Sequence, residues 1–489
     1  MPQHGRPMRV HPDSHLVELP GIDCPARPDM VGTVLFMTGL ALTWMTLNGD
    51  SPAALGTWAA YGIGFSLAVS ILADIRHGLR NMVRADLIGM LAIYGLFYAE
   101  FLFPQPQFNL DNSYDSIYRG LTYSMLGYGT YALVRHLGVR KAYPTSGVFV
   151  DPVSPSLIVR LFWFCFIVGF MHQWVAIDFD FTKWLWHWTG PRFSEPWART
   201  ALGDWHALLY ELGLLLFIVS PLGAIILVRR RIYGGLQSTL VLIAVLLVIS
   251  HAFLGGTRHI FCAHLIMFAM GFMYFEKFSP KLIILTGVAL LGLIYVTSNM
   301  MVSFRQIGFR NYFDQRMAGA VFRTDEESLK VDFNLQTFSW MVDEMPAQYD
   351  HLGMEVAYLA IIRPIPRAMW KGKPVGLTTT IEEILFRPGT GGTWSVTYMG
   401  EAYMAYGVTG IIFVSAGLGW VSAFWNCTGS PKNSDLGILI FASGFFSFAI
   451  AVRSVFTFTT AILPTLFLLF VGNYLIRNRN HLLPGRRQE

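Results

Sequence analysis

The chain has 489 residues, of which 53% are hydrophobic and only 14% are charged, whereas about 25% of residues are charged in an average soluble domain. Aromatic residues are abundant (38 Phe, 20 Tyr and 14 Trp), and the formal net charge is only +5. This composition excludes an ordinary soluble protein, is typical of an all-α polytopic membrane protein, and leads us to expect no nucleic-acid partner. The four cysteines form no spaced cluster, which argues against a disulfide framework or a Cys-ligated metal.

Twelve transmembrane helices are predicted from apolar runs close to the 20 residues that a bilayer requires. The preceding segment, residues 1–29, is polar and lacks the apolar core of a signal peptide, which predicts a cytoplasmic tail. The predicted spans are 30–47, 53–73, 85–103, 117–134, 156–175, 206–228, 235–254, 257–275, 282–302, 394–424, 436–452 and 455–475.

The orientation follows from the charge of the short connections. One set is basic and contains Arg76, Arg80 and Arg84, then Arg135, Arg140 and Lys141, and then Arg229 to Arg231. The alternate connections, such as 48–51 and 104–116, have no Lys or Arg. Because positive loops stay in the cytoplasm, an even number of spans places both termini there, including the tail 476–489.

Two segments are predicted to be long and external. The first, 176–205, is rich in Trp, which favours a helix lying in the membrane interface. The second is a large periplasmic loop, 303–393, which separates spans 1–9 (residues 30–302) from spans 10–12 (residues 394–475). Within it, "FNLQTFSWMVDEM" (333–345) has an amphipathic pattern that could pack on the membrane or on the helices below.

The turn "GGTRH" (255–259) lies at the predicted outer end of span eight. Its glycines permit a tight turn, after which Arg258 and His259 occupy the first turn of a helix, where free amides favour an anion. We interpret this as an anion site, although an interfacial arginine reaching lipid headgroups would give the same pattern. His264, deeper in the span, is a functional candidate or a buried, hydrogen-bonded histidine.

Cations recur in the large loop. Arg305, Arg310 and Arg316 follow span nine, and guanidinium groups bind phosphate oxygens in pairs; helix-end anchoring is the alternative. In "IIRPIPRAMWKGKPVG" (361–376) the prolines cannot lie inside a helix, which predicts a rigid extended segment that holds its guanidinium groups outward. Its candidate ligand-binding residues are Arg363, Arg367, Lys373 and Trp370, of which Trp370 could stack on a sugar or a lipid.

A single acid lies inside the apolar helix "GEAYMAYGVTG" (400–410). At helical spacing Glu401 shares a face with Trp394 and Tyr398, one to two turns below the outer surface. A carboxylate there requires a partner or a polar cavity. We interpret Glu401 as a general base or as a partner of an active-site arginine, with Arg453 as a candidate, while a purely structural ion pair remains open.

The segments "IPRAMWKGKP" (365–374), "GEAYMAYGVTG" and, more loosely, "GGTRH" resemble those of bacterial oligosaccharide repeat unit polymerases, also called O-antigen or Wzy-type polymerases. The resemblance covers roughly the last third of the chain. It implies a GT-C-like, metal-independent glycosyltransferase of the inner membrane, without a cofactor, whose donor and acceptor are undecaprenyl-diphosphate-linked oligosaccharides. A chain-length regulator and a flippase of the same pathway are expected as partners.

The implied roles follow residue by residue. Glu401, Arg258 and Arg305 would be catalytic; the substrate-binding set would be Arg310, Arg363, Arg367, Lys373, Trp370, Tyr398 and His259. Two alternatives remain open, namely an O-antigen ligase-like glycosyltransferase, which would use the same donor, and a non-catalytic polysaccharide or lipid transporter.

Overall fold

The structure is a computed structural model that describes residues 25–140, 142–192, 209–273, 280–318, 333–385, 395–430 and 432–478. These residues form helices and connections without a β-strand, which confirms the all-α prediction. Trp394, most of the tail 1–29, residues 319–332 and 386–393 of the large loop, and the tail beyond residue 478 lie outside the described residues.

Leaving single helical turns unlabelled, the helices are α1 (Met30–Met45), α2 (Pro52–Ile75), α3 (Ala85–Phe97), α4 (Tyr114–Val134), α5 (Pro155–Ala176), α6 (Phe181–Trp188), α7 (Leu216–Val228), α8 (Gly235–Leu254), α9 (Arg258–Met273), α10 (Pro280–Phe304), α11 (Phe309–Met317), α12 (Asn334–Glu344), α13 (Met354–Ile362), α14 (Leu377–Ile384), α15 (Thr397–Trp425), α16 (Asp435–Arg453), α17 (Val455–Ala461) and α18 (Leu463–Arg477). Their caps follow local sequence: Asp29, Ser51, Ser113 and Ser434 accept the first free amides of α1, α2, α4 and α16.

Eight helices among the described residues are long and apolar enough to cross a membrane. They are Pro52–Ile75, Pro155–Ala176, Leu209–Val228, Gly235–Leu254, Gly287–Phe304, Thr397–Thr428, Asp435–Arg453 and Val455–Arg477. The other predicted spans coincide with α1, α3 and α9, which are shorter apolar helices, and with the 21-residue α4. The membrane-like helical architecture is therefore present, in a bundle where each predicted span has a helix.

Two large hydrophobic cores share the bundle. One gathers side chains of α2, α3, α4, α12 and α15, and the other gathers those of α5, α7, α8 and α16. Helix α16 is buried over nearly its whole length. The amphipathic segment of the large loop belongs to the first core, because Leu335, Phe338 and Met341 of α12 are fully buried there. This resolves the open choice for 333–345: it packs on the helices.

A buried ionic network connects several helices at the end of the bundle where α15 ends. Arg84 binds Asp74 at 2.7 Å and Asp86 at 3.2 Å, and Asp86 also accepts hydrogen bonds from Asn426 and Arg135. Both arginines are fully buried. Arg84 and Arg135, which contributed to the predicted orientation, therefore also pair with acids. Such pairing is expected because a buried charge requires a partner.

Helix α15 is broken near its beginning. Tyr406 and Gly407 leave the helical conformation, and Gly407 adopts φ +59°, which glycine tolerates without steric cost. The carbonyls of Met404 and Ala405, which lose their helical partners at the break, accept the amides of Leu352 and Gly353 at 2.8 and 2.9 Å. The first two turns, which carry Glu401, are thus a separate short helix fixed by the large loop.

Candidate functional site

Glu401 lies in the second turn of α15 and is only 6% exposed. Its carboxylate accepts a short hydrogen bond of 2.5 Å from the Ser454 hydroxyl and one of 3.1 Å from the Phe456 amide. These donors stabilise a carboxylate that burial would otherwise destabilise. The acid is therefore a built feature of the bundle interior, in the second turn after the start of α15.

The donors come from a break between two helices. Helix α16 ends at Arg453, Ser454 is extended with φ −171°, and α17 starts at Val455. The Ser454 hydroxyl also accepts the Thr457 amide at 2.9 Å, so this one side chain caps α17 and donates to Glu401. From the sequence, Arg453 was the only candidate in this segment, and Ser454 was missed. The signal for it was the hydroxyl-rich stretch "RSVFTFTT" (453–460), which lies between two apolar runs.

Arg363 is the cation that approaches Glu401 from the large loop. Its guanidinium lies 4.1 Å from the ring centre of Phe456 and donates to the Thr457 hydroxyl at 3.1 Å. It also interacts electrostatically with the Glu401 carboxylate. The same five-residue segment, 453–457, thus positions both the acid and an arginine.

The remaining cations of this loop have a different arrangement from the predicted one. Arg367 donates to the carbonyls of Lys373 and Pro374, each at 2.7 Å, and the Lys373 ammonium donates to those of Arg363 and Ile365, each at 2.8 Å. The prediction of an extended segment with outward guanidinium groups was wrong. Arg363 continues α13 in helical conformation, and the two cations close the following turns because their long side chains donate to backbone carbonyls of this segment.

The environment of Lys373 lowers the pKa of its ammonium. Partial burial is the main cause, and the positive charges of Arg367 and Arg363 act in the same direction, while Glu211 opposes them. Glu211 precedes α7, so a carboxylate from outside the loop acts electrostatically on this ammonium. The cations therefore crowd one another, a condition that an added anion would relieve.

Arg453 connects this region to the "GGTRH" turn. Its guanidinium donates to Nδ1 of His259 at 2.6 Å. Since an arginine can only donate, Nδ1 of His259 is the acceptor in this contact. The predicted helix start is confirmed, because α9 begins at Arg258, and it brings that arginine to the end of the bundle where Glu401 lies.

The turn also abuts Arg305. Gly256 has φ +63°, and a Cβ added to it would lie 2.8 Å from the Cβ of Arg305. Only a glycine allows this approach of two backbones. Arg258 and Arg305, assigned to catalysis from sequence, therefore lie on adjoining segments. The constellation is a buried acid that interacts with Arg363, an Arg453–His259 pair whose arginine immediately precedes Ser454, and the segments of Arg258 and Arg305, which meet at Gly256.

Three predicted substrate-binding residues occupy other surroundings. Tyr398 is fully buried, and its hydroxyl pairs with that of Ser415 at 3.0 Å. Trp370 is partly buried against the first hydrophobic core. Arg310 is exposed and lies over the ring of Trp186 at 3.4 Å. From the sequence, His264 could be either a functional residue or a buried, hydrogen-bonded histidine. It is buried, and its Nδ1 lies 2.9 Å from the Ser220 hydroxyl, which corresponds to the second alternative.

Across the described residues, no group of three or more His, Cys, Asp or Glu side chains could hold a metal ion. No protein-family model, curated protein or solved structure matches the chain. The site is therefore interpreted from its own geometry, which offers a buried carboxylate, a hydroxyl that donates to it and several guanidinium groups within one end of the bundle.

Proposed function

We propose that this chain is a membrane glycosyltransferase of the repeat unit polymerase type. It joins undecaprenyl-diphosphate-linked oligosaccharides into a surface polysaccharide on the periplasmic face of the bacterial inner membrane, with twelve spans in a GT-C-like arrangement and both termini in the cytoplasm. The observation that carries the proposal is the buried Glu401 carboxylate with Arg363 beside it, at the bundle end where Arg258 also begins its helix.

The proposed reaction has balanced bonds and charges. A hydroxyl of the acceptor sugar attacks the anomeric carbon of the donor glycan, a glycosidic bond forms, and the bond from that carbon to the diphosphate oxygen breaks. The hydroxyl proton passes to Glu401, and the diphosphate leaves with one additional negative charge. Ser454, which already donates to Glu401, holds the carboxylate in place for this proton transfer.

Arginines favour such a reaction because the charge on the leaving diphosphate grows in the transition state. Guanidinium groups fixed by the fold stabilise that charge without reorganising at the moment of reaction. One proposed group is Arg363, which is held by Phe456 and Thr457. The others are Arg258 and Arg305, whose backbone segments meet at Gly256. Diphosphate is already a good leaving group, so this assistance is sufficient in principle.

The test is polymerisation by the purified protein with a lipid-linked repeat unit and no added nucleotide or metal. Glu401→Gln should lower the rate roughly 10²–10⁴-fold, as expected for loss of a general base, and Arg258→Ala should lower it roughly 10²–10³-fold. Matched controls are Glu355→Gln and Arg119→Gln, which alter exposed residues of the same types and should leave the rate unchanged.

Wild-type rates for both site variants would remove Glu401 and Arg258 from the mechanism. The ligase alternative has a separate signature in cells. Loss of a polymerase leaves single repeat units on the lipid carrier, whereas loss of a ligase leaves long polymer that is not transferred.

A further inference from the structure

A groove lies on the perimeter of the bundle between two short helices, α6 and α11. Helix α6 begins five residues after the candidate span α5, and α11 begins five residues after the candidate span α10. Side chains of α10 such as Leu285, Val288 and Leu291 are exposed, as expected for a helix at the lipid-facing edge of a bundle. The groove therefore lies where the bundle meets the bilayer surface.

Helix α6 is held with one face inward. The indole nitrogens of Trp184 and Trp188 both donate to the Gln173 side chain of α5, at 2.7 and 3.1 Å, and both rings are buried. The opposite face consequently points away from the bundle. Trp186 lies on that face and is 58% exposed, and Phe181, at the beginning of α6 beside Trp184, is still 53% exposed, which leaves an aromatic surface open to lipid.

Helix α11 is bound to α6 through the backbone. The amide of Arg310 donates to the carbonyl of Thr189 at 3.2 Å, and the amide of Arg192 donates to that of Arg305 at 2.9 Å. The two helices are thus a fixed pair, and the groove of about 630 Å³ between them is part of the fold. Phe309 and Phe313 supply apolar lining from the α11 side.

The groove has one cation and one anion at neighbouring positions. Arg310 lies over the Trp186 ring at 3.4 Å, a stacking arrangement that keeps the planar guanidinium edge free for oxygen ligands. Asp314 lines the groove four residues later, which is the adjacent position on a helix face. The described residues show no salt bridge between these two side chains. The groove therefore presents separate partners for a negative and a positive group above an apolar floor.

We propose that this groove binds one aminophospholipid of the phosphatidylethanolamine type. The phosphate would contact Arg310, the primary ammonium would contact Asp314, and an acyl chain would lie along Phe181, Leu185 and Phe313. The two-carbon link between phosphate and ammonium suits a pair of neighbouring side chains, and a lipid that lacks either charge leaves one of them without a partner. The inference does not depend on the proposed function.

The experiment measures quenching of Trp186 fluorescence by lipids with brominated acyl chains in reconstituted protein. The Trp186 signal is the difference between wild type and Trp186→Phe, because the chain has 14 Trp. Brominated phosphatidylethanolamine is compared with brominated phosphatidylglycerol and phosphatidylcholine. We expect about a fivefold preference for the ethanolamine lipid, the ratio that corresponds to about 1 kcal/mol.

Two variants and one control complete the design. Asp314→Asn should abolish the preference for the ethanolamine lipid, and Arg310→Gln should weaken quenching by all three lipids. Arg119→Gln, an exposed arginine paired with Asp343 and not among the groove residues, should change nothing. Equal quenching by the three lipids, a preference for the glycerol lipid, or no quenching because another molecule fills the groove would each overturn the proposal.

Discussion

Gly256 is the position where one added methyl group should have the largest effect on the candidate site. Its φ of +63° lies in the left-handed region, where an L-residue costs about 1–2 kcal/mol. An alanine Cβ would also lie 2.8 Å from the Cβ of Arg305, so the two segments would have to separate by about 0.6 Å to reach ordinary contact, and overpacking costs about 1–3 kcal/mol more. Gly256→Ala should therefore lower the free energy of unfolding by about 2–5 kcal/mol.

The neighbouring glycine is a matched control. Gly255 has an ordinary φ of −64°, so Gly255→Ala should change stability by less than about 1 kcal/mol. Gly256→Asn separates the two causes, because asparagine tolerates the left-handed conformation but still carries the crowding Cβ; it should recover only the conformational part of the loss. Unfolding of the three variants in detergent is compared with their polymerisation rates.

Gly256→Ala should also affect activity. Displacing Arg305 from the turn that carries Arg258 should lower the polymerisation rate of folded Gly256→Ala protein at least tenfold, whereas Gly255→Ala should remain at the wild-type rate. If Gly256→Ala protein is as stable and as active as wild type, the close approach of these two segments is not a requirement of the fold or of the site. Equal losses in the two alanine variants would also contradict the argument, because only one position is strained.

Two other predictions concern charge. Asp86→Ala should lower the free energy of unfolding by about 3–5 kcal/mol, because it leaves the buried Arg84 with one partner fewer. Asp343→Ala, which breaks an exposed ion pair, should lower it by only about 0.2–1 kcal/mol. Denaturation experiments that give similar losses for the two variants would refute this difference between the buried and the exposed pair. The lowered pKa of Lys373 means that the folded chain releases this proton before the unfolded chain does, so its contribution to stability rises with pH up to the ordinary lysine value of 10.5. Arg367→Gln should raise that pKa and slow amine acylation of Lys373 at fixed alkaline pH, as measured by mass spectrometry; unchanged or faster labelling would contradict the assigned repulsion.

The helices and the location of Glu401 were predictable from sequence because both depend on local information. Apolar runs determine helix positions, and the two glycines before Arg258 indicate a helix start at that residue. The donors to Glu401 were not predictable, because Ser454 lies 53 residues further along the chain. Such a pairing is decided by how the beginning of α15 packs against the break between α16 and α17, which local periodicity does not encode.

The prolines of the large loop led to a wrong conclusion for a related reason. Proline disfavours a helix interior, but it does not specify where a neighbouring arginine side chain points. The direction of Arg367 is decided by the free carbonyls of Lys373 and Pro374, which exist only once the chain has turned. Similarly, the sequence assigned Arg84 to a basic connection but did not show its partners. It is fully buried because Asp74 and Asp86 come together with it.

The large loop is a component of the site as well as a cover for it. Its amides at Leu352 and Gly353 bind the carbonyls released by the break in α15, and its Arg363 binds the segment that donates to Glu401. The acid is therefore fixed from two sides by the same loop, once through the backbone of its own short helix and once through the 453–457 segment. A change that displaces the loop should therefore move the Glu401 carboxylate and the Arg363 guanidinium together. In the proposed reaction, binding of substrate by the loop and proton transfer at Glu401 would be coupled through these contacts.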